Sequence, residues 1–278
     1  MISSVGSSNA YAAGYADTPI AVLQLDPYPV GAFQLTARLS VNGHEALFLL
    51  DTGGGVSLIT PQFAGVVGCK PWGRVTVFRL TGERIDMPRC DNMNFAIAGQ
   101  QYANPIVGVF DVTKMFPAGA PKLDGLLALN VFAKQALTLS VSGRLLMIES
   151  ADSLSARIGS AKEIPIRLVR QAEGVGLMVD AAVPTRDGTA WMEIDSGNAG
   201  PPIVGEHVAG ALGLDPGGAK DQPAGFSIGG IAPVHGKVTI ADMLIMDGNI
   251  GAEFLARWDI ILDLAGERAW LSPAATPQ

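Results

Sequence analysis

Apolar and polar residues alternate with period two from Phe33 to Val41, the pattern of a half-buried strand. Asn42-Gly43 follows, a strong hairpin signal, and Glu45 to Leu50 returns as a second strand that ends on Asp51. The same order recurs in the second half. Gly176 to Val183 reads as a strand, Arg186-Asp187-Gly188 as a turn, and Thr189 to Ile194 as a return strand that ends on Asp195. A short helical pattern comes next in each half, Pro61 to Gly68 and Gly205 to Gly213. Each half then shows a hairpin with glycine at its tip. The first runs from Arg74, turns at Thr81-Gly82-Glu83 and returns through Arg84 to Pro88. The second turns at Ile228-Gly229-Gly230 and returns through Val234 to Ile240. An apolar block closes each half, Leu123 to Phe132 and Met246 to Leu255. Final hairpins follow at Leu137 to Ile148 and Ile260 to Leu271.

This order of elements is a two-fold internal repeat, too long for a solenoid and suited to two related lobes. It predicts an all-β, bilobal architecture of barrel-like lobes with short helices. The expected division is a disordered tail over 1–19, a first lobe over 20–150, a polar linker over 151–163 and a second lobe over 164–278. Between its Asp and its closing block the first lobe is longer by about 21 residues, an excess expected around Asp111 to Lys122.

Composition sharpens this picture. Of 278 residues, 48% are apolar and 16% charged, which excludes a disordered chain. The 34 glycines and 18 prolines punctuate many short strands. Net charge is −7 without a basic patch, so no nucleic-acid partner is expected. No apolar run is long enough to span a membrane. Cys69 and Cys90 either form one disulfide or stay as buried thiols. His44, His207 and His235 show no metal-ligand spacing, so neither metal nor other cofactor is expected. His207 reads as a surface side chain of its helix.

The candidate chemistry lies in two triplets, Asp51-Thr52-Gly53 and Asp195-Ser196-Gly197, whose aspartates are 144 positions apart. A lone triplet is an ordinary strand exit. Two copies at equivalent points of a repeat would meet on a pseudo-two-fold axis. Carboxyls in contact cannot both ionise readily. The charged one then serves as general base on a water, and the protonated one donates to a carbonyl oxygen. Thr52 and Ser196 are placed to hydrogen-bond across to the opposite lobe. Gly53 and Gly197 permit close backbone approach.

On these triplets, on Ile228-Gly229-Gly230 and on Ile250-Gly251 after Asp247-Gly248, the chain resembles pepsin-type aspartic proteases, specifically bacterial retropepsin-like members with both lobes in one chain. The resemblance covers roughly residues 30–150 and 165–273. It implies an endopeptidase acting on polypeptide, with Asp51 and Asp195 catalytic and supported by Thr52, Gly53, Gly54, Ser196, Gly197 and Asn198. It also implies flaps at Thr81, Gly82, Glu83 and at Ile228, Gly229, Gly230, and closing loops at Ala128 and Gly251. A monomer, secreted or periplasmic after loss of a signal peptide, is expected.

Three departures stand out. Ala128 replaces the expected closing glycine. Gly54 and Asn198 replace hydroxyl residues that would bond the carboxylates. The first flap lacks the family's tyrosine, so clamping is expected to fall partly on the second hairpin. Loss of a hydroxyl beside Asp51 predicts an optimum of roughly pH 4–6.5, less acidic than pepsin's. The alternatives are a non-catalytic peptide- or ligand-binding protein on the same scaffold, and a divalent-metal site, for which the ligand count is low.

Overall fold

The computed structural model describes residues 18–275. The expected tail over 1–19 lies almost wholly outside them. The fold is all-β and bilobal. Each lobe is built on its hairpin and a short closing strand that pairs in parallel with the strand leading to the aspartate. In the first lobe His44–Leu50 lies beside Gly125–Leu127, with Leu50 opposite Leu127. In the second, Gly188–Ile194 lies beside Gly248–Ile250, with Ile194 opposite Ile250. The Asp51 amide then donates to Leu127 O at 3.0 Å and the Asp195 amide to Ile250 O at 2.9 Å.

The repeated Asp-Gly of the closing blocks has a packing cause. Asp124 Oδ2 accepts the Leu47 amide at 2.9 Å, and Asp247 Oδ2 accepts the Trp191 amide at 2.8 Å. Each carboxylate thus binds the neighbouring strand where the sheet leaves an amide unpaired. A side chain at Gly125 would stand 2.0 Å from Leu58 O, and one at Gly248 would stand 2.7 Å from Ile203 O. Only glycine lets the chains pass there.

The first lobe rolls up through pairing of Leu35–Val41 with both His44–Leu50 and Arg84–Ile97. The closing hairpins do more than end each half. Ala136–Ser140 pairs with Trp258–Asp263, from Ala136–Asp263 to Leu139–Ile260. The two hairpins, with Ala21–Pro27 at one edge and Lys162–Ile164 at the other, form one six-stranded layer beneath both lobes. One apolar core runs from the first lobe through this layer into the second.

The segment over 151–163 is more structured than the expected polar linker. Ala151–Ile158 is a helix whose Ser150 cap forms a reciprocal box with Ser153. Its Arg157 is ion-paired to Glu149, and both are buried. Cys69 and Cys90 form a disulfide that ties the end of the first helical turn to the long strand Arg84–Ile97. The extra length of the first lobe is shared. Fifteen residues separate Gln100–Val109 from Gly125–Leu127, against six between Lys237–Ala241 and Gly248–Ile250. The remainder lies largely in the long strands Arg84–Ile97 and Gln100–Val109, not around 111–122 alone.

Candidate active site

The two aspartates emerge side by side at the lobe junction. Thr52 Oγ1 donates to Ile194 O at 2.7 Å and accepts the Ser196 amide at 2.9 Å. Ser196 Oγ donates to Leu50 O at 3.0 Å and accepts the Thr52 amide at 3.1 Å. Each hydroxyl therefore holds the opposite lobe's backbone on both sides of its aspartate. The glycines approach the opposite carboxylate: a side chain at Gly53 would stand 2.6 Å from Asp195 Cγ, and one at Gly197 2.7 Å from Asp51 Cγ.

The carboxyls of Asp51 and Asp195 meet at the junction: a side chain at Gly197 would stand 2.7 Å from Asp51 Oδ1 and 3.0 Å from Asp195 Oδ1. Burial, then the charge of Asp195, push the Asp51 carboxyl well above the usual carboxylate range, against the amides of Gly53 and Gly54. Asp195 is held differently. Its Oδ1 accepts the Gly197 amide at 2.7 Å, and its Oδ2 accepts the Asn249 side-chain amide at 2.8 Å. Asn198 turns away from the carboxylate. Its Nδ2 donates to Asn249 Oδ1 at 2.8 Å.

A cleft of about 490 Å³ lies over the pair. Its apolar walls include Leu58, Ile85, Phe110, Met178, Ile203 and Met246, which leaves Asp51, Glu193 and Asp195 as its carboxyl groups. The hairpin of Trp72–Phe78 and Arg84–Ile97 covers it, with Thr81 on its wall. Gly82 turns the tip at φ +79°, and Glu83 O accepts the Arg79 amide at 2.9 Å. The hairpin rests on the second lobe: Ile245 N donates to Leu80 O at 2.9 Å, and Phe78 N donates to Gln171 Oε1 at 3.0 Å.

The second expected flap lies elsewhere. Ile228 is buried, and the Gly229 amide donates to Ala182 O at 2.6 Å. A side chain at Gly229 would stand 2.3 Å from Ile164 Cγ2. This hairpin is packed onto its own lobe and does not line the cleft. Opposite the first flap stands the loop that carries Ile245 and Met246.

The exchange of Gly54 and Ala128 for the larger and smaller residues of the second lobe is one compensated change. A side chain at Gly251 would stand 2.5 Å from Asn198 O and 2.8 Å from its Nδ2. Gly251 therefore leaves room for Asn198. Gly54 has no side chain, and the Ala128 methyl is accommodated in a fully buried position. Ser57 braces it, since Ser57 Oγ accepts the Ala128 amide at 3.0 Å and donates to Asn130 Oδ1 at 2.8 Å.

Sequence reasoning missed Gln34, Glu193 and Asn249. Gln34 Nε2 donates to Gly197 O at 2.5 Å across the lobe junction. Glu193 did carry a signal: two positions before Asp195 on a strand, it faces the same side. His207 is half exposed, with Nε2 3.1 Å from Asp247 Oδ1, and takes no part in the cleft.

Residues 37–131 match the family model described as aspartyl protease, a span that includes Asp51, the flap and all but the last residue of the first closing block. The solved structure of basic 7S globulin from soybean is similar with a TM-score of 0.58 at 10% identity, over 91% of this chain and 94% of that one. Conglutin gamma, a basic 7S globulin from lupine seeds, follows with 0.55 at 10% identity, over 93% and 96%. A search of curated proteins returns no match. The structural likeness establishes the pepsin-like fold over both lobes, and the match to the aspartyl protease model is confined to residues 37–131 of the first lobe.

Proposed function

We propose that this protein is a single-chain aspartic endopeptidase, of retropepsin-like kind, that hydrolyses peptide bonds with a water held between Asp51 and Asp195. The observation that carries this reading is the close pair of carboxyls, locked by Thr52 and Ser196 at the base of a covered cleft. Asp195, charged and held by two N–H donors, takes a proton from the water as its oxygen attacks the substrate carbonyl carbon. Asp51 gives its proton to the carbonyl oxygen. The resulting diol collapses as Asp195 passes its proton to the amide nitrogen. The C–N bond breaks, and a diol hydroxyl returns a proton to Asp51. The pair ends with the one proton it began with.

The substrate would lie extended under the flap, its backbone paired with strands on either side and its apolar side chains in the cleft. The hydrogen bond from Ile245 to Leu80 must open for a polypeptide to enter. The Cys69–Cys90 bond suits an oxidising compartment and supports a secreted or periplasmic location. Both carboxyls come from one chain, so a monomer suffices. No helix among the described residues is long and apolar enough to cross a membrane.

A second reading, a non-catalytic binding protein on the same scaffold, draws support from the two similar structures, both named as basic 7S globulins and neither as a protease. Cleavage of a diverse unstructured peptide mixture across about pH 3–8 separates the two. Cutting by the wild type with loss in Asp51→Asn and Asp195→Asn supports the protease. Binding without cutting at any pH supports the alternative.

A further inference from the structure

The second lobe carries a buried polar pair that the first lobe lacks. Glu193 and Asn249 face each other in the parallel register of the two central strands. The equivalent register in the first lobe holds Leu49 and Leu126, both buried. The Asn249 Nδ2 nitrogen donates one hydrogen to Asp195 Oδ2 at 2.8 Å and the other to Glu193 Oε2 at 2.9 Å. Its Oδ1 accepts from Asn198 at 2.8 Å. All the hydrogen-bonding groups of this amide are thus engaged, and it cannot flip without losing them. Glu193 is 2% exposed and Asn249 0%. Apolar burial alone would favour the leucines of the first lobe, because a buried carboxyl is costly. The polar pair sits at the carboxylate oxygen of a dyad member and nowhere else in the repeat.

We propose that Glu193 and Asn249 are positioning residues for Asp195: Glu193 anchors the Asn249 amide so that its other N–H is aimed at Asp195 Oδ2, which marks Asp195 as the member of the dyad that carries charge. The inference rests on the endopeptidase reading of that dyad. It gives an otherwise two-fold site a direction. Asp195 receives the Asn249 side-chain donor, and Asp51, beside Gly54, is met by the backbone amides of Gly53 and Gly54. Glu193 faces Asp195 on its own strand, Asp51 across the junction, and Asp180 on the paired strand, itself bonded to Arg167 at 2.8 Å. Burial, then the charge of Asp195, hold Glu193 well above the usual carboxylate range, against its bond to Asn249. Glu193 thus holds a proton more readily than a free carboxyl does. A neutral acceptor suits the role, because an ionised Glu193 would compete with Asp195 for the same amide.

The test compares Glu193→Gln, Glu193→Leu and Asn249→Leu with the wild type, each checked for wild-type thermal unfolding. Gln keeps a neutral acceptor and is expected to rescue kcat to within about twofold, whereas Leu lowers kcat about tenfold with little change in KM. Asn249→Leu moves the acid limb of the pH–rate profile up by about one pH unit, because a donor to the charged form is gone. A second readout needs no turnover. The Asn249 side-chain amide protons, followed by NMR, are expected to exchange slowly and to shift as the dyad titrates, in wild type and Glu193→Gln. In Glu193→Leu they exchange at least about tenfold faster. Equal exchange in Glu193→Leu and wild type, or an amide blind to the dyad's titration, overturns the proposal. So does a Glu193→Gln variant as impaired as Glu193→Leu, since charge and not anchoring would then matter. A wild type that cuts nothing at any pH sinks the endopeptidase reading, while the amide measurement still decides this one.

Discussion

Gly251 and Ala128 occupy equivalent positions, and their neighbours decide which methyl the fold accepts. Gly251→Ala drives a methyl into Asn198 O, a backbone atom that cannot step aside. It is expected to cost about 1–3 kcal/mol in urea unfolding. Ala128→Gly loses one buried methyl and loosens the chain, for about 1 kcal/mol. Reversing that order would refute the compensation between the lobes. Thr52→Val keeps the shape and removes a hydroxyl that serves Ile194 O and the Ser196 amide. The two buried groups left without a partner predict a loss of about 2–4 kcal/mol by denaturation.

The elements are joined by devices of unlike strength. The Cys69–Cys90 bond closes a loop of 21 positions through the strand that carries the flap. Replacing both cysteines by serine is expected to cost about 3 kcal/mol, read as a shift in unfolding midpoint. The helix Ala151–Ile158 is tied by one buried ion pair, Arg157 to Glu149, with Ser153 Oγ donating to the same carboxylate at 2.5 Å. Removing the arginine strands a buried charge, so Arg157→Ala is expected to lose about 3–5 kcal/mol, far more than any exposed pair such as Arg38–Asp26.

For the molecule as a whole, buried carboxyls set how stability follows pH. Burial raises Asp51, Asp180, Glu193 and Asp259 above their ordinary values. Above the unfolded carboxylate range, near about pH 4, the folded chain holds these protons longer than the unfolded chain does. Stability therefore falls as pH rises through the raised values. The melting temperature is expected to be higher near pH 5 than near pH 7.5, and the double variant Asp51→Asn, Glu193→Gln to flatten that slope. Asp86, Asp111, Glu163 and Asp187 are lowered by hydroxyl or arginine partners and act in the opposite sense. They lie at the surface, so salt weakens them, and their effect falls below the unfolded carboxylate range. A Tm that climbs steadily from pH 5 to 7.5 would contradict this.

What the sequence determined by itself is what short-range physics dictates. Period-two alternation, Asn42-Gly43 and the paired Asp-hydroxyl-Gly triplets depend on neighbours a few positions apart, and they specified the hairpins, the repeat and the two aspartates. Tertiary structure decided everything that rests on contact between distant segments. The closing hairpins looked like the ends of separate lobes, yet each presents strands that only the other half can pair, and together they floor both lobes. Ile228-Gly229-Gly230 has the composition of a flap tip, but nothing local shows that Ile164 and Ala182 hold it down. The fate of the two cysteines depended on a strand 21 positions away folding back over a helix end. Asn198 stood at the position of an expected donor, and the donor came from Asn249 on another strand, because parallel pairing sets it beside Glu193, two residues before Asp195. Side-chain direction on a strand is local, and the identity of the partner that it meets is not.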